Sequence, residues 1–140
     1  MSKIKLVFFY FSPVLIFFVN DIVRNIRPFL GQSKYVFLSL IFGWLPNYLA
    51  ALGFVLLGQI CLKFYLEISG NKNYRQYIYK FMGLIVVVTT AGLIWWEFEQ
   101  KIGQLVFDKN DIYATIGGAL TGYLFFFILA RNDFFLPKEK

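Results

Sequence analysis

The chain has 140 residues, of which 59% are hydrophobic, 21% aromatic and only 16% charged; roughly 45–50% apolar and about 25% charged is usual for a soluble domain, and that class is excluded. The formal charge of +6 comes from Lys and Arg scattered singly between apolar runs, which excludes a nucleic-acid interface and reads instead as membrane topology signals. With no His and a single Cys, the commonest general base, an intrachain disulfide and a Cys-cluster metal site are excluded as well, leaving a one-domain integral membrane protein whose spans consume the chain.

In chain order, the first element is the run IKLVFFYFSPVLIFFV, predicted to span the membrane over residues 4–22. Pro13 lies inside it and is expected to kink it, which neighbouring helices can accommodate. Lys3 and Lys5 before the run give it the look of a signal peptide. It ends FFVND with no small-residue cleavage site, so a retained first span is expected. A polar connection, NDIVRNIRPFLGQSK, follows.

Residues 35–68 are mostly apolar but awkward in length. One span needs about 20 residues, and two with a turn need about 40. Pro46 divides the segment. Residues 35–45 are therefore predicted to be an interfacial or re-entrant piece. Span 2 then begins at Pro46, where proline in the first helical turn costs little, and covers residues 46–66. Cys61, among Gln59, Ile60 and Leu62, is expected to be a packed thiol. After the polar EISGNKNYRQY, span 3 covers 78–97 and ends in WWEFEQ. Span 4 covers 111–130, and the tail RNDFFLPKEK is polar. The expected fold is an all-α membrane protein: four transmembrane helices in a single bundle domain, residues 1–140, with an interfacial or re-entrant segment before the second.

Four spans put both termini and the middle connection on one side. That side holds Lys3, Lys5, Lys63, Lys72, Arg75, Lys80, Arg131, Lys138 and Lys140; the other holds Arg24, Arg27, Lys34, Lys101 and Lys109. The excess of positive charge predicts cytoplasmic termini. A fifth span at 35–45 would undo that assignment.

This topology brings most of the unusual polar residues to the non-cytoplasmic face: Asn20, Asp21, Arg24, Arg27, Asn47, Glu97, Glu99, Gln100, Asp108, Asn110 and Asp111. Glu97 and Gln100, three apart, share one face of span 3, while Glu99 points elsewhere and is expected to be solvated. Ala114, Gly118 and Gly122 form a small-residue stripe of the kind that lets helix backbones approach closely. Asp111, seven before Gly118, lies on that stripe and should face a neighbouring helix. Asp21 and Arg24 are spaced to pair. Plainer roles compete. Asp108 or Asp111 can cap span 4, Glu97 can pair with Lys101, Arg24 and Arg27 can anchor headgroups, and Trp95 and Trp96 suit an interfacial belt. Ionisable residues facing a bundle interior are nonetheless functional candidates. A carboxylate pair beside arginine suits a cationic or hydroxyl-rich headgroup, or a divalent cation.

The stretch from Ile94 to Gly122 resembles the VanZ-like family of small polytopic membrane proteins. The signature reads Glu97-x-x-Gln100, then Phe107-Asp108-x-x-Asp111, then Gly118-x-x-x-Gly122, over about thirty residues. Thr115 stands where the family commonly has Asn, and no His accompanies Asn20-Asp21 near the first span, so the likeness is to a distant branch. The resemblance implies a four-helix-like bundle in the bacterial cytoplasmic membrane and a cell-envelope role, which in the family includes reduced sensitivity to glycopeptides such as teicoplanin.

The expected function is binding or acting on an envelope component, a lipid-linked or peptidoglycan-related headgroup, at the outer-face acidic cluster. The residues are Glu97, Gln100, Asp108 and Asp111, with Asp21, Arg24, Arg27 and Asn47 assisting. The expected partners are the bilayer and such an envelope precursor, with no nucleic acid, cofactor or resident metal. Two rivals remain. One is an accessory subunit of a larger membrane complex, built on the glycine stripe and aromatic surface. The other is a small membrane-embedded enzyme using two acid groups.

Overall fold

The structure is a computed structural model describing residues 3–30, 36–69, 75–102, 108–132 and 134–135; within these, the side chains of residues 3–5, 30, 36, 38–39, 75–76 and 100–102 are outside the description. It is all-helical, with no strand among the described residues. The helices are α1 (Lys3–Leu30), α2 (Val36–Ser69), α3 (Arg75–Ile102) and α4 (Lys109–Arg131). Each contains a stretch long and apolar enough to cross a bilayer: Leu6–Phe29, Leu40–Ser69, Tyr77–Glu99 and Lys109–Arg131. Backbone polar groups in hydrocarbon must be paired within the segment, which is why apolar runs of this length become helices.

The four-helix, all-α architecture is the expected one, but one piece of it is corrected. Residues 36–45 are neither re-entrant nor separate: α2 is a single 34-residue helix with Pro46 inside it. Breaking the helix at Pro46 would expose several unpaired backbone groups, whereas continuing through it costs one hydrogen bond, and packed membrane helices absorb that cost. At about 1.5 Å per residue α2 is about 51 Å long, against a hydrocarbon core of about 30 Å. Its first turns therefore tilt or project into the interface. In α1 the same problem is solved locally. Pro13 leaves the Phe9 carbonyl without its helical donor, and Ser12 Oγ donates to that carbonyl at 2.8 Å. The helix then continues past Ile22 to Leu30, so Asn20, Asp21, Arg24 and Arg27 are helical residues rather than parts of a loose connection.

α2 is the centre of the bundle. It packs against α1, α3 and α4, whereas the α1 backbone meets α2 alone and α3 also meets α4. α1 is antiparallel to α2: Phe17 lies against Gly53 and Phe54, and Tyr10 against Phe64. α4 runs parallel to α2, from Tyr48 beside Gly118 to Val55 beside Gly122. This closeness is what the small-residue stripe provides. A methyl group at Gly118 would collide with the Tyr48 carbonyl oxygen, and one at Gly122 would lie 2.6 Å from Val55 Cγ1. Asp111, Ala114, Thr115, Gly118, Ala119 and Gly122 form the buried side of α4. Cys61 is exposed, which corrects the packed thiol expected there. Its neighbours Ile60 and Leu62 take the two buried sides of α2, and the thiol falls on the strip between them.

Near the chain termini, Phe134 and Phe135 fold back into the core. Their rings meet Phe9 and Phe126 at centroid separations of 4.6 Å and 5.0 Å. Lys63, buried on α2, donates to the Phe134 carbonyl at 3.1 Å and pairs with Glu67 at 3.0 Å. A buried ammonium needs such partners.

Candidate functional site

At the end of the bundle distal to the termini, α1 ends, α2 begins, α3 ends and α4 begins. Glu97 stands there one turn before the end of α3 and is only 5% exposed. Asp111, in the first turn of α4, is 8% exposed. Between them, half-buried on α2, the Asn47 side-chain amide hydrogen-bonds both carboxylates. Arg24 and Arg27 on α1 are exposed. Both act electrostatically on Glu97, and Arg27 acts on Asp111 as well. All four helices thus contribute to one recess with two acceptor groups, a bridging amide and two guanidinium groups.

The helical register accounts for the convergence. Phe17 lies against Gly53 in an antiparallel pair, so Arg24, seven residues on, stands level with Pro46 and Asn47. Tyr48 lies against Gly118, so Asp111, two turns earlier on the parallel α4, reaches the same end. The Tyr48 hydroxyl fixes that register by donating to Thr121 Oγ1 at 2.9 Å, and Thr121 in turn donates to the Gly117 carbonyl. Burial of the carboxylates is opposed by desolvation, and the Asn47 donor and the nearby arginines offset it.

The other expected site residues stand differently. Asp108 is exposed and caps α4, accepting from the Asn110 backbone N–H at 2.9 Å and from its side-chain amide at 3.3 Å. Its charge acts on Asp111, at the cluster's edge. Asp21 is exposed and accepts from Asn25 Nδ2 at 3.4 Å. The Asp21–Arg24 pair expected from spacing is absent among the described residues, where the one ion pair is Lys63–Glu67. An exposed pair gains little to offset the ordering of two side chains. The Gln100 side chain lies outside the described residues, as does Lys101, the alternative partner of Glu97. Glu99 is exposed, as its offset of about 200° from Glu97 around the helix implies, and Trp95 and Trp96 are exposed. Among the described residues no group of three or more His, Cys, Asp or Glu is placed to hold a metal ion.

Three buried polar groups carry more weight than their sequence context suggested. Gln59 is fully buried and donates through Nε2 to the Gly122 carbonyl at 2.9 Å, with Oε1 unpartnered. Lys63 sits one turn below it, with its ammonium 5.1 Å from the centre of the Phe134 ring. Asn20, 8% exposed, leaves Oδ1 without a partner at the distal end of α1. The signal for the first two was their four-residue spacing inside an apolar span, which marks a shared inward face. The chain matches no protein-family model, no curated protein and no solved structure.

Proposed function

We propose that the chain is a distant VanZ-like protein of the bacterial cytoplasmic membrane, with both termini cytoplasmic. In this reading it binds an envelope component, a lipid or peptidoglycan-related headgroup, at the distal recess and so lowers sensitivity to glycopeptide antibiotics. The observation that carries the reading is the meeting of buried Glu97 and Asp111 on Asn47, with Arg24 and Arg27 beside them. A structural bundle has no need to gather ionisable groups from four helices, and such groups inside a membrane protein mark ligand sites by default. Carboxylates accept N–H and O–H donors, while guanidinium forks take phosphate or carboxylate oxygens.

The test is teicoplanin susceptibility of a sensitive bacterium expressing the chain. Glu97→Gln and Asp111→Asn, nearly isosteric, are expected to accumulate in the membrane at wild-type levels yet lose the protection. Protection unchanged in both variants removes the site from the function. Sidedness is tested with a membrane-impermeant maleimide in a Cys61→Ala background, the native thiol being exposed. Cysteines at Lys34 and Asn110 should label from outside and one at Ser69 should not; labelling at Ser69 reverses the assignment.

The accessory-subunit reading retains one specific support. On α3, Gly83 and Gly92 have no atom within contact of an added methyl group, leaving room for a partner helix to approach closely. Co-purification of a stoichiometric membrane partner, lost on Gly83→Leu, would favour it.

A further inference from the structure

The recess is defined as much by what it lacks as by what it holds. Asn20 stands on α1 one turn inward of Arg24. By the antiparallel register that sets Phe17 against Gly53, it faces α2 about one turn inward of Asn47. It is more than nine-tenths buried, and its Oδ1 accepts no hydrogen bond. Buried acceptors left unpaired are costly, and no side chain or backbone group among the described residues donates to this one. Glu97 and Asp111 add two more acceptor groups that share a single bridging amide, Asn47. Arg24 and Arg27, by contrast, are donors without an ion-pair partner among the described residues. A ligand suited to all of these brings N–H donors at one end and anionic oxygens at the other.

The route into the recess narrows the class further. The backbones of α1 and α3, and of α1 and α4, do not approach one another; among the helix backbones α1 meets α2 alone. No α3 or α4 backbone closes either flank of α1, and in a bilayer such a flank faces lipid. The guanidinium groups line it on α1, and the carboxylates lie across α2 at the same level. A headgroup lying in the membrane plane with its tails still in lipid fits that flank. A soluble ligand would gain nothing from it.

We propose that the recess binds a phospholipid headgroup carrying a primary amine beside its phosphate, with the ammonium on Glu97 and Asp111 and the phosphate on Arg24 and Arg27. This rests on the headgroup-binding reading above and names its ligand class. A primary amine is favoured because the two carboxylates, which share the one Asn47 amide, take N–H donors that a trimethylated amine lacks. An anionic glycerol headgroup offers the phosphate but no positive charge.

The experiment is native mass spectrometry of the purified full chain, titrated with phosphatidylethanolamine, phosphatidylcholine or phosphatidylglycerol of identical acyl chains, and with soluble glycerophosphoethanolamine. Phosphatidylethanolamine is expected to bind about tenfold more tightly than the other two lipids, the size of one charge-assisted hydrogen bond. Glu97→Gln/Asp111→Asn should abolish that preference, and Arg24→Gln/Arg27→Gln should weaken all three lipids alike. Equal binding of the three lipids by the wild-type chain overturns the proposal, even if the variants fail to fold. So does a preference that survives in Glu97→Gln/Asp111→Asn. Glycerophosphoethanolamine binding as tightly as the lipid overturns lateral entry from the bilayer. Loss of teicoplanin protection in Glu97→Gln without any lipid preference would reject this ligand class and leave the envelope reading standing. A lipid preference without any protection would do the reverse.

Discussion

Asn47→Leu is expected to lose about 3 kcal/mol of stability, although the side chains are similar in volume. The amide is a donor shared by Glu97 and Asp111, and both carboxylates are buried. Removing it strands two groups that repel each other, and each lost hydrogen bond to a charged group is worth about 1.5–3 kcal/mol. The Arg24 and Arg27 side chains are exposed and cannot replace a buried donor. Asp111→Asn in the same chain should recover roughly half of the loss, because the new amide can donate to Glu97 and the repulsion is gone. A double-mutant cycle on thermal unfolding in detergent measures both effects. A wild-type melting temperature for Asn47→Leu would mean that the bridge contributes nothing to the fold.

Gly118→Leu is expected to disrupt the bundle more severely than any surface change in α4. The nearest atom to an added methyl at Gly118 is the backbone carbonyl oxygen of Tyr48, and Ala51 Cβ lies 3.2 Å away. A backbone atom cannot rotate aside, so α4 must move off α2 along their whole contact. Even Gly118→Ala should cost about 1–3 kcal/mol, the usual range for overpacking. The neighbouring Gly117→Ala is the control, since its methyl would meet only the Tyr48 ring at 3.7 Å, ordinary contact. It is expected to be neutral or slightly stabilising through helix propensity. Sensitivity to SDS-induced unfolding distinguishes the two; equal behaviour would show that the close approach at Gly118 is unimportant.

Much of this architecture is legible in the sequence because lipid leaves so few options. Apolar runs of span length must be helical, and their number follows from counting. The inward aspect of Asp111 follows from its seven-residue offset from Gly118, and that of Glu97 from its phase against Glu99. The continuity of α2 was not legible. A length argument assumes that a helix stops at the bilayer edge, and nothing in the residues 36–45 says whether a helix projects past it. α2 also lacks a polar face by which to read its rotation, because three helices surround it. Hence Cys61 could not be assigned to its exposed strip. Asn47 was visible as one polar residue at the right end of a span. Its role as a bridge needs the crossing of α2 between α3 and α4, which no local pattern encodes.

The buried Gln59 and Lys63 bear on how the protein is made. Their hydrogen-bond acceptors are the carbonyls of Gly122 and Phe134, 63 and 71 residues later in the chain. At ribosomal speeds of about 5–20 residues per second, these side chains are synthesised roughly 3–14 s before those acceptors exist. During that interval two polar side chains sit in a span whose neighbours α3 and α4 are not yet complete. Lys63 has only Glu67, one turn away on the same helix, as a companion. Gln59 and Lys63 therefore gain these acceptors only once the last helix and the Phe134–Phe135 turn have been made.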